Sequence, residues 1–150
     1  MEWRKGKATE FGAPVVFEPG KDIEIEVQRL KEYLGGEAAD KVIIAAKDLS
    51  AMNLGMQLAE KGGTILFFAT PHPDEFIKLH PSYIFFNELI IKSSYSADHN
   101  DTRIALDLLS RDEVEGSKLI TNRYPLEKLS DAILQTSSRE GSLKCVIKFD

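Results

Sequence analysis

Three short runs in this chain are apolar and β-branched with no alternation. They are Val42-Ile43-Ile44-Ala45-Ala46, Thr64-Ile65-Leu66-Phe67-Phe68-Ala69 and Leu89-Ile90-Ile91-Lys92-Ser93-Ser94. A strand with one wet face alternates polar and apolar residues, whereas a strand buried on both faces, as in a parallel sheet, does not. Between the first two runs the spacing is helical. Ser50 is the expected N-cap of a helix through Leu54 and Leu58, with Gly62-Gly63 as its stop. Pro71 and Pro73 break the chain after the second run, and a loop with a short helix leads to the third. Strand and helix therefore alternate, which predicts an α/β fold with a parallel sheet and right-handed crossovers.

The flanks read as follows. Arg4 to Phe11 is a helix closed by Gly12, and Pro14-Val15-Val16-Phe17 is a short strand stopped by Pro19-Gly20. Asp22 caps a helix whose face is Ile23, Val27, Leu30 and Leu34, ended by Gly35-Gly36. After residue 97 the pattern changes. A helix near 102–110, an extended piece at 118–122 and a helix with Pro125 in its first turn are expected. A final strand from Lys144 places Cys145, Ile147 and Phe149 on one face. The expected organisation is residues 1–97 as one sheet-forming domain and 98–150 as a separate closing segment.

At 150 residues the chain can bury a core, and 43% hydrophobic with 29% charged residues is ordinary soluble composition. A net charge of −5 excludes a general nucleic-acid binder, which needs a basic surface. No apolar run nears the roughly 20 residues that span a bilayer, so no membrane partner is expected, and no basic-then-apolar start predicts a secretory signal. Cys145 is the only cysteine, which excludes an intramolecular disulfide and a zinc site with several Cys ligands. These features favour the cytoplasm. The glycines, at 6, 12, 20, 35, 36, 55, 62, 63, 116 and 141, are never two apart. The chain therefore has no Gly-x-Gly turn of the kind that cradles a dinucleotide pyrophosphate on a helix N-terminus.

Leu119-Ile120-Thr121-Asn122-Arg123-Tyr124-Pro125-Leu126-Glu127 resembles the tail of zinc-type, medium-chain alcohol or polyol dehydrogenases. Further pieces follow the same family in order. Arg4, Ala8, Gly12 and Ala13 match an Arg-x-x-x-Ala-x-x-x-Gly-Ala run. Ala39-Asp40-Lys41-Val42-Ile43 resembles the lead-in to the fourth strand of its cofactor domain. Lys61-Gly62-Gly63-Thr64 resembles the turn into the fifth, and Phe86 to Ser94 the sixth. The resemblance implies strands 3 to 6 of a Rossmann-type sheet, with NAD or NADP as the family's cofactor, bound weakly or not at all by this chain alone, and zinc in the parent family only. It implies cofactor contacts at Arg4 beside the adenosine ribose, and at Ala45, Ala46 and Lys47 near the adenine. Phe68 and Thr70 would meet the nicotinamide amide through backbone groups, Ser96 is a further nicotinamide neighbour, and Lys144 lies near the pyrophosphate.

The family's first two strands, its glycine-rich turn and its zinc-bearing catalytic domain would precede Met1. Ala69 replaces a common glycine, and Asn122 stands where polyol enzymes often carry His. No catalytic residue or metal ligand is therefore assigned, and the chain alone is expected to be inactive. His72 with Asp74, His99 with Asp101, and His80 are read as structural or solvated, and Cys145 as packing. With half the sheet gone, strands 42–46 and 64–69 would bare an apolar face. A second copy, a complementing chain or the 125–136 helix would have to cover it. The alternative to an enzyme fragment is a non-catalytic dimerisation or interaction module, or a truncated reading frame.

Overall fold

The computed structural model describes residues 2–18, 20, 22–138 and 141–149. Its first element, α1 (Glu2–Glu10), is closed as the sequence predicts. The Ala13 N–H donates to the Ala8 carbonyl at 3.0 Å and the Gly12 N–H to the Thr9 carbonyl at 2.9 Å, with Gly12 at φ 92°. This is the Schellman arrangement, and only glycine takes that φ without strain. Residues 14–17, expected as a strand, do not form one. A β-branched run becomes a strand only beside a hydrogen-bonding neighbour, and none of the described strands pairs with it. Pro19, expected to help stop that run, lies outside the described residues.

The chain divides into two compact units, residues 18–96 and residues 1–17 with 97–150. The first holds α2 (Ile23–Tyr33), β1 (Ala39–Ile44), α3 (Leu49–Leu58), β2 (Ala59–Phe67), α4 (Pro81–Phe86) and β3 (Ile90–Ser93). Asp22 caps α2 as expected, accepting from the N–H groups of Glu24 and Ile25. The three strands pair in parallel in the order β1-β2-β3. Ile44, Met52, Met56, Ala59, Ile65 and Leu89 form the core, with Ile65 and Met52 almost completely buried. Val42, Ile65 and Ile91 are in register and pack on this side. The opposite side carries Ile43 and Leu66 in register, and Ile43 is 65% exposed and Ile90 48% exposed. The absence of alternation thus does not mean burial on both faces here. The apolar second face is exposed at Ile43 and Ile90.

Gly62-Gly63 does not end α3, which stops at Leu58. The pair sits inside β2, where the register slips: two steps from Ala39 to Lys41 face five steps from Ala59 to Thr64. The extra residues bulge. A Cβ on Gly63 would stand 2.7 Å from the Glu60 carbonyl oxygen and 3.3 Å from that of Ala39, so backbone approaches too closely for a side chain. Glu60 secures the same corner by accepting from the Ala38 N–H at 2.7 Å.

The second unit holds α1, α5 (His99–Ser110), α6 (Gly116–Leu119), β4 (Ile120–Pro125), α7 (Leu129–Ser138) and β5 (Lys144–Lys148). β4 and β5 pair in parallel, and α7 between them packs on both. The extended piece expected at 118–122 starts later, because Lys118 and Leu119 complete α6. Pro125 closes β4 in extended geometry instead of opening a helix; a 3-10 turn over Leu126–Lys128 separates it from α7. A proline at a strand end forfeits no ladder bond. Cys145 and Ile147 face Leu129 and Ala132 of α7, whereas Phe149 is exposed. No described helix is long and apolar enough to cross a membrane.

Two glycine substitutions separate these causes. Gly63→Ala is expected to cost about 1–3 kcal/mol in urea unfolding, because backbone must move. Gly6→Ala, in α1 with nothing within 4 Å of the added Cβ, is expected to gain about 0.5–1 kcal/mol. Equal effects at both sites would refute the bulge account.

Candidate functional site

Ligands of open parallel sheets lie beyond the carboxyl ends of the strands, where loops leave room between strand and helix. That edge is held together here by one acceptor. The Ile44 carbonyl at the end of β1 accepts from the Phe68 N–H at 3.0 Å and the Ala69 N–H at 3.2 Å. The Ser94 N–H in turn donates to the Phe67 carbonyl at 3.1 Å, fixing the end of β3 to β2.

Two grooves open at this edge. The first, about 590 Å³, lies between β1 and α3, with Val42, Ile44, Leu54 and Leu58 as its apolar wall and Ala45 and Ala46 at its rim. The second, about 790 Å³, lies over the ends of β2 and β3. Its lining includes Lys47, Phe67, Phe68, Thr70 and Ser96. Six of the eight sequence-assigned contact residues are thereby gathered at one edge of one unit. Lys47, expected beside the adenine with Ala45 and Ala46, lines the second groove, whereas Ala45, Ala46 and Asp48 line the first. Phe68 is 61% exposed, and its N–H is committed to Ile44. Its carbonyl is the backbone group it could offer a carboxamide. Ser96 holds a left-handed backbone, φ 61°, uncommon for a residue with a side chain. Such strain concentrates at functional positions.

Arg4 and Lys144 belong to the other unit. Nη2 of Arg4 donates to the Ser142 carbonyl at 3.2 Å, tying α1 to the turn before β5. Its Nε is buried without a hydrogen-bond partner among the described residues. Lys144 is the exposed first residue of β5.

Asp48, not Ser50, caps α3, accepting from the N–H groups of Ser50 and Ala51 at 2.9 and 3.1 Å. Both side chains are competent caps; the position where β1 releases the chain decides between them. Ser50 instead turns its hydroxyl onto the Asp48 carboxylate. The Ser50 hydroxyl first, then the two amides, hold the Asp48 carboxyl below its ordinary value of 3.8. A depressed carboxyl contributes stability above that ordinary value, and the contribution is lost as pH falls through the folded value. Sequence reasoning also missed Glu75. Its carboxylate accepts from the His72 N–H at 2.8 Å while its own N–H donates to the His72 carbonyl at 2.9 Å, folding the 72–75 loop beside the second groove.

The donors present do not suit zinc. His72 Nδ1 and Asp74 Oδ2 lie 3.3 Å apart, both exposed. His99 opens α5, and Asp98 and Asp101 spend their carboxylates on its capping box. No group of three or more His, Cys, Asp or Glu among the described residues could hold a metal ion. Ser50→Ala should raise the Asp48 pKa toward 3.8 and leave that of Glu60 in place, read by carboxyl NMR titration. An unmoved Asp48 would remove the hydroxyl's role.

The chain is similar to known proteins in sequence and fold. A family model described as zinc-binding dehydrogenase matches residues 1–111. Sorbitol dehydrogenase of Mus musculus is 27% identical over 147 residues, covering 98% of this chain and 40% of that protein. The chain thus spans about two fifths of the length of the curated relatives it matches. The crystal structure of an alcohol dehydrogenase from Thermotoga maritima superposes with TM-score 0.85 at 23% identity, over 98% of this chain and 40% of that one. A zinc-binding dehydrogenase from Sinorhizobium meliloti, solved bound to NADP, gives TM-score 0.84 at 23% identity, over 98% and 42%. With a family model matching residues 1–111, the chain belongs to the zinc-binding dehydrogenase family, and it carries the α/β fold of the C-terminal half of alcohol dehydrogenase structures.

Proposed function

We propose that this chain supplies the distal half of the nicotinamide-cofactor site of a zinc-type alcohol or polyol dehydrogenase. The parent reaction is hydride transfer between a secondary alcohol and NAD or NADP. The observation that carries this reading is the pair of grooves at the carboxyl edge of β1, β2 and β3, lined by Ala45, Ala46, Lys47, Phe68, Thr70 and Ser96. The apolar groove beside Ala45 and Ala46 suits an adenine, and the groove under Phe68 suits a nicotinamide. When bound, the cofactor supplies the hydride acceptor. This chain's residues would bind and orient it, with the Phe68 carbonyl accepting from its carboxamide.

The 150 residues include neither a Gly-x-Gly turn nor a zinc ligand set among those described. Turnover therefore requires a complementing segment or chain, and the 150-residue polypeptide by itself is inactive. A cytoplasmic setting fits a chain with one cysteine.

A second reading, a non-catalytic dimerisation module, is favoured by one observation. Ile43 and Ile90 stand exposed on the bared sheet face, and β3 is an edge strand. Calorimetric titration with NADH, with the native mass recorded in the same buffer, separates the two. Micromolar binding would support the first, with alcohol oxidation appearing only after a complementing segment is added. No binding at millimolar NADH together with a stable dimer would overturn it for the second. Alcohol oxidation by the purified chain alone would overturn the inactivity.

A further inference from the structure

We propose that Lys47 binds the anionic linker of a dinucleotide where it passes between the two grooves. This rests on the cofactor reading above. Residues 45 to 48 join β1 to α3 and form the wall common to both grooves. Ala45, Ala46 and Asp48 line the first, and Lys47 lines the second. A ligand with a ring in each groove must cross this segment.

The charges along that path leave one candidate for an anion. Lys47 is the single cation among the described residues lining either groove, and it is exposed. The acids are otherwise engaged. Glu26 receives both its contacts from Nη1 of Arg29, at 2.9 and 3.0 Å. Glu75 holds the His72 N–H, and Asp48 holds the first amides of α3. The ion pairs formed by the described residues do not include Lys47. The amides at the start of α3 would otherwise be the natural phosphate site of a parallel sheet, but Asp48 has taken them. A phosphate arriving here meets a carboxylate at the helix end and an ammonium beside it. The ammonium, a compact charge on a flexible four-carbon stem, is the group that can follow the linker. The class of ligand is two aromatic rings joined by a pyrophosphate.

The test compares NADH with adenosine, which has the ring and no phosphate, on the wild-type chain, Lys47→Met and Lys47→Arg. Calorimetry reads NADH, and NMR shift titration reads adenosine into the millimolar range. Lys47→Met is expected to lower the ratio of NADH to adenosine affinity about tenfold, and Lys47→Arg to hold it within about threefold. Added salt should weaken NADH binding more in the wild type than in Lys47→Met. An unchanged ratio in Lys47→Met, with NADH bound by the wild type, would remove the role of Lys47 and leave the cofactor site standing. Adenosine without effect at millimolar concentration, while NADH binds, would mean that the dinucleotide does not span both grooves. No NADH binding to the wild type would overturn the inference together with the cofactor reading.

Discussion

Parallel pairing of β1 with β2 is the constraint from which the rest of this structure follows. Parallel neighbours cannot be joined by a tight turn, so a crossover is required, and α3 is that crossover. It buries Met52 and Met56 against Ile44 and Ile65 and makes one face of the sheet the core. Both strands consequently end at the same edge. There the Ile44 carbonyl accepts two amides from the chain leaving β2. The space left between strand ends and helix becomes the grooves. Site and fold are thus one consequence of one pairing.

The same constraint explains the bared face. A doubly wound sheet hides both faces under helices. Here helices cover the core side, and Ile43 and Ile90 remain exposed on the other. Similar proteins are about two and a half times as long, this chain matching 40% of the mouse sorbitol dehydrogenase. An apolar sheet face at Ile43 and Ile90 and an edge strand at β3 are what the described three-stranded sheet presents.

Much of this was legible in the residues, and the reasons are local. Gly12 two residues past the end of α1, followed by Ala13, spells a Schellman cap, and the structure forms it. The three apolar runs mark β1, β2 and β3 with small errors at their ends. What failed depended on partners that a one-dimensional pattern does not display. Val15 to Phe17 has strand composition but no strand beside it. Gly62-Gly63 has the composition of a helix stop, yet in the bulge Gly63 is crowded by the backbone of Glu60 and Ala39 and Gly62 takes φ 77°. Ser50 and Asp48 are equally good caps on paper, and only the exit of β1 chooses. The groove that Lys47 lines depends on the path of the connecting segment 45–48, which composition does not encode. Glu75 was invisible because its partner is a backbone amide of the same loop.

The central claim is that the carboxyl edge of the three-stranded sheet is where a nicotinamide dinucleotide sits. Backbone amide NMR shifts, recorded residue by residue as NADH is added, address it most directly. Binding there predicts that the shifting amides cluster at 45–48, 68–70 and 93–96, with the bared face around Leu66, Ile90 and Lys92 unmoved. Shifts centred on that face, or none at millimolar NADH, would contradict it.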